Sequence, residues 1–246
     1  MRNLAVKAVK AVLNPLGLEL RPTDVRHFAE ATGRERDLIK QFKGYSMTPP
    51  FRQWTFLRAL EYVERSQIEG DIVECGVWRG GNIMLAKAYV SSERRYWLYD
   101  TFAGMSEPTE HDVSSDGRAA TRIHAAPQKQ QHNTWGFASL KEVQDNFQRH
   151  GLLDETVIFR RGKVEETLES EPLPERIAVL RLDTDWYEST LVELKRLYPL
   201  LAPGGVLILD DYGSWLGSKR AVDEYFGGRA PLLVPVDCAS RMAVKI

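Results

Sequence analysis

Apolar residues along the chain fall into two alternating rhythms. In FRQWTFLRALEYVERSQIEG, Trp54, Leu57, Leu60 and Val63 recur at the spacing of one helical face. The next stretch, GDIVECGVWRGGNIMLAKAYVSS, reads as a short strand, a glycine-rich turn and a helix, and RRYWLYDTFAGM as a second strand ending at Asp100. SLKEVQDNFQRHGL predicts a helix capped by Ser139, with Glu142 completing a capping box and Leu140, Val143 and Phe147 on one face. TVIFRRG follows as a strand, VEETL as a helical turn and RIAVLRLDTD as a strand. YESTLVELKRLYPLLAPGG predicts a helix closed by Pro203 and Gly204, and GVLILDD the next strand. SKRAVDEYFGG is helical, and PLLVPVD with RMAVKI predicts a closing pair of strands. Strands alternating with helices imply an α/β fold with a doubly wound, mostly parallel sheet.

Two segments stand outside this alternation. At the start, Leu4, Ala5, Ala8, Val9, Val12 and Leu13 repeat at helical spacing, which predicts a helical extension over residues 1–44 that packs on the main body or on a second subunit. Residues 45–246 form the main domain. Within it, residues 106–135 carry most of the histidines and no apolar period, the pattern of a long surface loop or lid.

Composition narrows the class. In 246 residues, 43% are hydrophobic, enough for a sizeable core. Thirty-three Lys and Arg against 34 Asp and Glu leave a net charge of −1, which argues against a nucleic-acid binder. Two cysteines, Cys75 and Cys238, make a disulfide framework improbable and fit a reducing cytoplasm. No apolar run approaches the ~20 residues of a membrane helix, and Lys7 and Lys10 break the first segment as a signal peptide.

The chemistry concentrates at three strand ends, where open α/β sheets bind ligands. Gly76, Gly80 and Gly81 in VECGVWRGG permit a sharp turn and close approach of a ligand, though not with dinucleotide spacing. Glu74, just before them, is placed to accept from a cationic amine or to face the next helix. Asp100 in LYDTF is placed to accept from ribose hydroxyls, or else to fasten its own loop. Together these two ends favour an adenosine-containing cofactor. The third feature is acidic: RLDTD ends in Asp183 and Asp185, and LILDD in Asp210 and Asp211. Neighbouring strands lie about 4.8 Å apart, so these acids converge, with no lysine or arginine evident as their partner. Hard oxygen ligands of this kind select Mg²⁺, or Mn²⁺ or Ca²⁺, over zinc. Asp185 and Asp211 are also placed to cap the helices that follow.

DIVECGVWRGG, LYDTFAGM, SLKEVQDNF and LRLDTDWYESTLVELKRLYPLLAPGGVLILDDY closely resemble the macrocin O-methyltransferase family over residues 45–226. The resemblance implies a class I, Rossmann-like methyltransferase that moves a methyl group from S-adenosylmethionine to a sugar hydroxyl of a glycosylated natural product or glycan, and a dimer or higher oligomer. It implies Mg²⁺ held by Asp183, Asp210 and Asp211, and cofactor contacts at Glu74, Gly76, Gly80, Gly81, Asp100, Thr101, Phe102 and Gly162. GKVEETL lacks the aromatic residue expected after that last glycine, and the 106–135 insert aligns with nothing in the family. Candidates for a general base are Asp183 while metal-bound, His124 and His132; Trp135, Phe137 and Trp215 are candidates to stack on a sugar. Three other readings remain open on sequence alone. DTD has the D-x-D form of a metal-dependent glycosyltransferase, a nicotinamide oxidoreductase is disfavoured by glycine spacing, and the fold also admits a catalytically silent binding module.

Overall fold

The computed structural model describes residues 28–125 and 133–246, together with residues 9, 11–13, 15 and 25. Most of the expected N-terminal amphipathic helix, and His132, lie outside the described residues. Five strands run parallel: β1 (Asp71–Cys75), β2 (Tyr96–Asp100), β3 (Val157–Arg161), β4 (Ile177–Leu182) and β5 (Leu201–Leu209). The sheet is completed by β6 (Val234–Pro235) and β7 (Arg241–Val244), in the order β3-β2-β1-β4-β5-β7-β6. β7 lies antiparallel to both β5 and β6, so the expected closing pair forms. Eight helices of described residues accompany the sheet: α1 (Gly33–Phe42), α2 (Pro50–Arg65), α3 (Gly81–Tyr89), α4 (Ala120–Ala125), α5 (Leu140–Arg149), α6 (Val164–Ser170), α7 (Tyr187–Leu197) and α8 (Leu216–Phe226).

The strands are buried on both faces because helices cover both. Alternate residues feed two cores. Ile72, Leu98, Val206 and Ile208 pack with Leu57 and Leu60 of α2, Ile83 of α3 and Phe147 of α5. Val73, Trp97, Leu180 and Leu207 pack on the opposite face with Leu168 of α6, Leu194 of α7 and Val222 of α8. Part of the N-terminal region joins the first core through Ile39 and Phe42 of α1.

Local differences from the sequence reading have simple causes. α7 stops at Leu197, a 3-10 turn covers Tyr198–Leu200, and β5 begins at Leu201, before Pro203 and Gly204 rather than after them. A bulge at the start of the β4–β5 pairing admits these residues at the strand's entry. Ser139 does cap α5, its side chain accepting from the Glu142 backbone, but Glu142 turns to Arg79 at 2.8 Å instead of closing the box. The reciprocal box lies elsewhere, between Thr32 and Glu35 at the start of α1, with Glu35 buried and paired to Arg58 of α2. Ser139→Ala should lower stability by about 1 kcal/mol, as loss of a single helix cap does; urea unfolding followed by circular dichroism checks this.

Candidate active site

The carboxyl ends of β1, β4 and β5 meet around one guanidinium. Arg181 and Asp183 stand two apart on β4 and its extension, so they share a face. Register places Arg181 beside Glu74 on β1 and Ile208 on β5, with Asp210 two further on. Arg181, 2% exposed, gives Nη1 to Glu74 Oε1 (2.6 Å) and Asp183 Oδ2 (2.7 Å), and Nη2 to Asp210 Oδ1 (2.7 Å) and Thr48 Oγ1 (3.1 Å). A second cation, Arg52 of α2, donates at 2.7 Å to Asp210 Oδ2 and at 2.7 Å to Asp237 Oδ2. The acids therefore do have arginine partners, contrary to the reading of the strand ends alone. Burial pulls Arg181 down, but Asp183, Asp210 and Glu74 together hold it well above its ordinary value.

These arginines divide the acids. Both oxygens of Asp210 are taken by guanidiniums. The three carboxylates that come together are Asp183, Asp185 and Asp211, each offering an oxygen within 4.8 Å of the others. The expected third acid, Asp210, lines the same cleft as Asp183 and Asp185 but has both oxygens paired to arginines. Oδ2 of Asp211 is buried without a hydrogen-bond partner. Burial pushes Asp183 and Asp211 well above the usual carboxylate range, and Asp185 to about 7, aided there by the charge of Asp183. Neither Asp185 nor Asp211 is a helix N-cap: those positions before α7 and α8 are held by Trp186 and Trp215, with no side-chain cap bond. Six carboxylates, Glu74 and Asp237 included, are set against two guanidiniums, and a convergent set of hard oxygen donors with a buried orphan oxygen fits one divalent cation.

The other expected residues occupy the same end of the sheet in different roles. Glu74 is buried and spends Oε1 on Arg181 and on Asn82 (2.9 Å), so its near cation is a guanidinium of the protein, while its Oε2 is left without a partner. Asp100 fastens loops: Oδ2 accepts from the Val77 and Trp78 backbones (2.9 and 3.0 Å), and Oδ1 from the Phe102 backbone (2.7 Å), with Thr101 Oγ1 3.5 Å from Oδ1. The Thr101 hydroxyl gives its one proton to the Gly104 carbonyl at 2.6 Å, so the three backbone bonds leave Asp100 with accepting capacity to spare. Phe102 is buried and adopts φ +51°, a conformation held by its bond to Asp100. Gly76 has φ +81°, and a Cβ there would meet the Asp183 carbonyl oxygen at 2.0 Å, so only glycine fits. Gly80 is the N-cap of α3, and Gly81 opens α3 against the Tyr45 carbonyl.

Two clefts adjoin here. One is lined by Asp100, Thr101, Gly162, Lys163 and Glu165; the other by Met47, Arg52, Trp78, Trp135, Asp185 and Asp210. Gly76, Asp100, Met105, Gly136 and Asp183 line both. Trp135, Trp186 and Trp215 pack on one another with ring centroids 5.0–6.2 Å apart. His124 is buried in the insert with Nε2 3.1 Å from the Met105 carbonyl oxygen. Arg181, Arg52 and Thr48 were missed from sequence. The signal for Arg181 was an arginine inside an apolar strand, two residues before an acid.

The macrocin-O-methyltransferase (TylF) family model matches residues 11–236. The chain belongs to this family. It is 41% identical over 175 residues to the 8-demethyl-8-(2,3-dimethoxy-alpha-L-rhamnosyl)-tetracenomycin-C 4'-O-methyltransferase of Streptomyces olivaceus, covering 68% of this chain and 62% of that relative. It is 39% identical over 170 residues to the mycinamicin III 3''-O-methyltransferase of Micromonospora griseorubida, covering 68% of this chain and 64% of the relative. The matches thus span less than two thirds of those relatives' own length. The structure of the O-methyltransferase NovP superposes with a TM-score of 0.72 at 30% identity, covering 99% of this chain and 98% of that one. Membership does not favour the glycosyltransferase reading of DTD. No described helix is long and apolar enough to cross a membrane.

Replacing Arg181 with Met would strand Glu74, Asp183 and Asp210 around an apolar side chain. Removing one partner from a buried ionic network costs about 3–5 kcal/mol, and Arg181→Met should lose that much in urea unfolding. A loss below about 1 kcal/mol would show that this guanidinium does not neutralise the cluster.

Proposed function

We propose that the chain transfers a methyl group from S-adenosylmethionine to a sugar hydroxyl of a glycosylated small molecule, assisted by a divalent cation such as Mg²⁺. The observation that carries this reading is the junction at Asp183, where two clefts share a wall. A donor bound in the cleft of Asp100, Thr101 and Gly162 and an acceptor bound in the cleft of Trp135 and Arg52 would meet beside the acids. The printed activities of the relatives, sugar 4'- and 3''-O-methylation among them, support the same substrate class.

In this reading the cofactor supplies the sulfonium methyl, and a cation held by Asp183, Asp185 and Asp211 supplies a Lewis acid and a template for the acceptor hydroxyl. The protein's own part is positioning. Asp100 ties the glycine turn after β1 to the loop after β2, and Gly76 brings that turn onto the Asp183 backbone. Arg181 and Arg52 hold Asp210 in place and keep the neighbouring acids from repelling one another. Asp183, at the shared wall, is the proton acceptor of the reaction: burial raises its proton affinity well above that of an ordinary carboxylate, and Arg181 at 2.7 Å opposes that rise. Trp135 offers an aromatic face to the acceptor's sugar ring.

Mass spectrometry after incubation with S-adenosylmethionine, magnesium and the acceptors named for the relatives should reveal a mass gain of one methyl group on a sugar. Excess EDTA or Asp183→Asn should cut that rate by about a hundredfold or more. Unchanged turnover in EDTA removes the metal from the reaction. Magnesium titration of two further variants assigns the third ligand: Asp185→Asn should abolish binding and Asp210→Asn should retain it. The reverse result returns the ligand set to Asp183, Asp210 and Asp211.

A further inference from the structure

Helix α7 starts immediately after the acidic turn, and its first free backbone donor is not satisfied locally. The N-cap, Trp186, has no side-chain cap bond. The Tyr187 N–H instead donates to Oδ1 of Asp112, 75 residues earlier in the 106–135 insert, at 2.8 Å. Asp112 is 1% exposed, and its other oxygen accepts from the Thr109 backbone (2.7 Å) and Thr109 Oγ1 (3.1 Å). Its place is reserved: a Cβ on Gly217, at the start of α8, would lie 2.2 Å from Asp112 Oδ1. Beside it, the Trp186 indole donates to the Ser106 carbonyl at 3.0 Å. The same stretch reaches the second acidic strand end, where the Leu216 N–H donates to the Val113 carbonyl (2.8 Å) and the Ser115 N–H to the Ser214 carbonyl (2.8 Å).

Between these anchors Asp185 sits at φ +68°. Left-handed backbone at a non-glycine residue persists only where the surroundings over-determine it. We infer that Asp112 is a positioning residue: by capping α7 from the insert it holds the 183–187 turn in the shape that brings Asp183, Asp185 and Asp211 together. A carboxylate at a helix N-terminus is both a hydrogen-bond acceptor and a favourable charge for the helix dipole, so one side chain fixes the turn and the helix behind it. The inference rests on the reading of those acids as a cation site.

The test compares the full chain with Asp112→Ala, Asp112→Asn and Ser139→Ala, all loaded with S-adenosylhomocysteine. Ser139→Ala removes a cap of the same kind from α5, away from the acids, and controls for general loss of stability. Titration with magnesium should show Asp112→Ala binding about tenfold or more weakly, as loss of a residue that orients ligands does. Amide exchange should speed up across residues 183–190 in that variant. Asp112→Asn keeps one acceptor oxygen but sets an amide N–H2 against a backbone N–H and removes the charge, so it should fall between the unmodified chain and Asp112→Ala or match the latter, and Ser139→Ala should move neither reading. Unchanged exchange at 183–190 in Asp112→Ala overturns the proposal, as does an equal increase there in Ser139→Ala. If the unmodified chain binds no magnesium, the cation reading falls by itself, and the exchange data still decide whether Asp112 holds the turn.

Discussion

A guanidinium buried among three carboxylates is the constraint around which this end of the molecule is organised. Arg181 cannot leave without stranding Glu74, Asp183 and Asp210, and none of those acids can ionise comfortably without it. Each acid comes from a different strand or its extension, so the network also sets the relative height of β1, β4 and β5. Arg52 extends it outward to Asp237, whose other oxygen holds the Ala239 and Ser240 backbones before β7. Thr48 and Asn82 carry it to the segment ahead of α2 and into α3. The polar centre is thus wired to two of the helices that cover this face, α2 and α3.

That arrangement explains how acids can be packed so densely at one end of the sheet. The two arginines satisfy Asp210 completely and Asp183 in part. Asp185 and Asp211 form no ion pair with a lysine or arginine among the described residues. The charge imbalance is therefore not spread evenly over the cluster. Of the two acids without an arginine, Asp185 lines the cleft of Trp135 and Asp211 is buried.

Much of this was legible in the sequence because strand ends are informative places. The alternation of strands and helices, the glycine turn, Asp100 and the paired acids of RLDTD and LILDD all fell where the fold puts chemistry. What escaped notice were relations across distance. Arg181 pairs with Glu74 across 107 positions and Asp112 with Tyr187 across 75, and no local rhythm reveals such partners. Glu35 pairs with Arg58 on another helix in the same way. The start of β5 was misplaced because a leucine-rich run before Pro203 suits a helix end and a strand entry equally well. The insert read as a long surface loop or lid because it has no apolar period, although the structure gives it a short helix, a bridge between Val113 and Ala119 and contacts with the starts of α7 and α8.

Those contacts bear on how such a scaffold can diversify. A surface excursion is ordinarily the part of a protein freest to change length and composition, and so the natural place to retune what is recognised. Here the near half of the excursion is bolted to two helix starts, and a deletion there would disturb the reaction centre itself. Freedom is left at the small turn of Asp116, Gly117 and Arg118, where the two charged side chains are 57% and 70% exposed. Change is therefore tolerated more readily at that turn than at the residues hydrogen-bonded to the two helix starts.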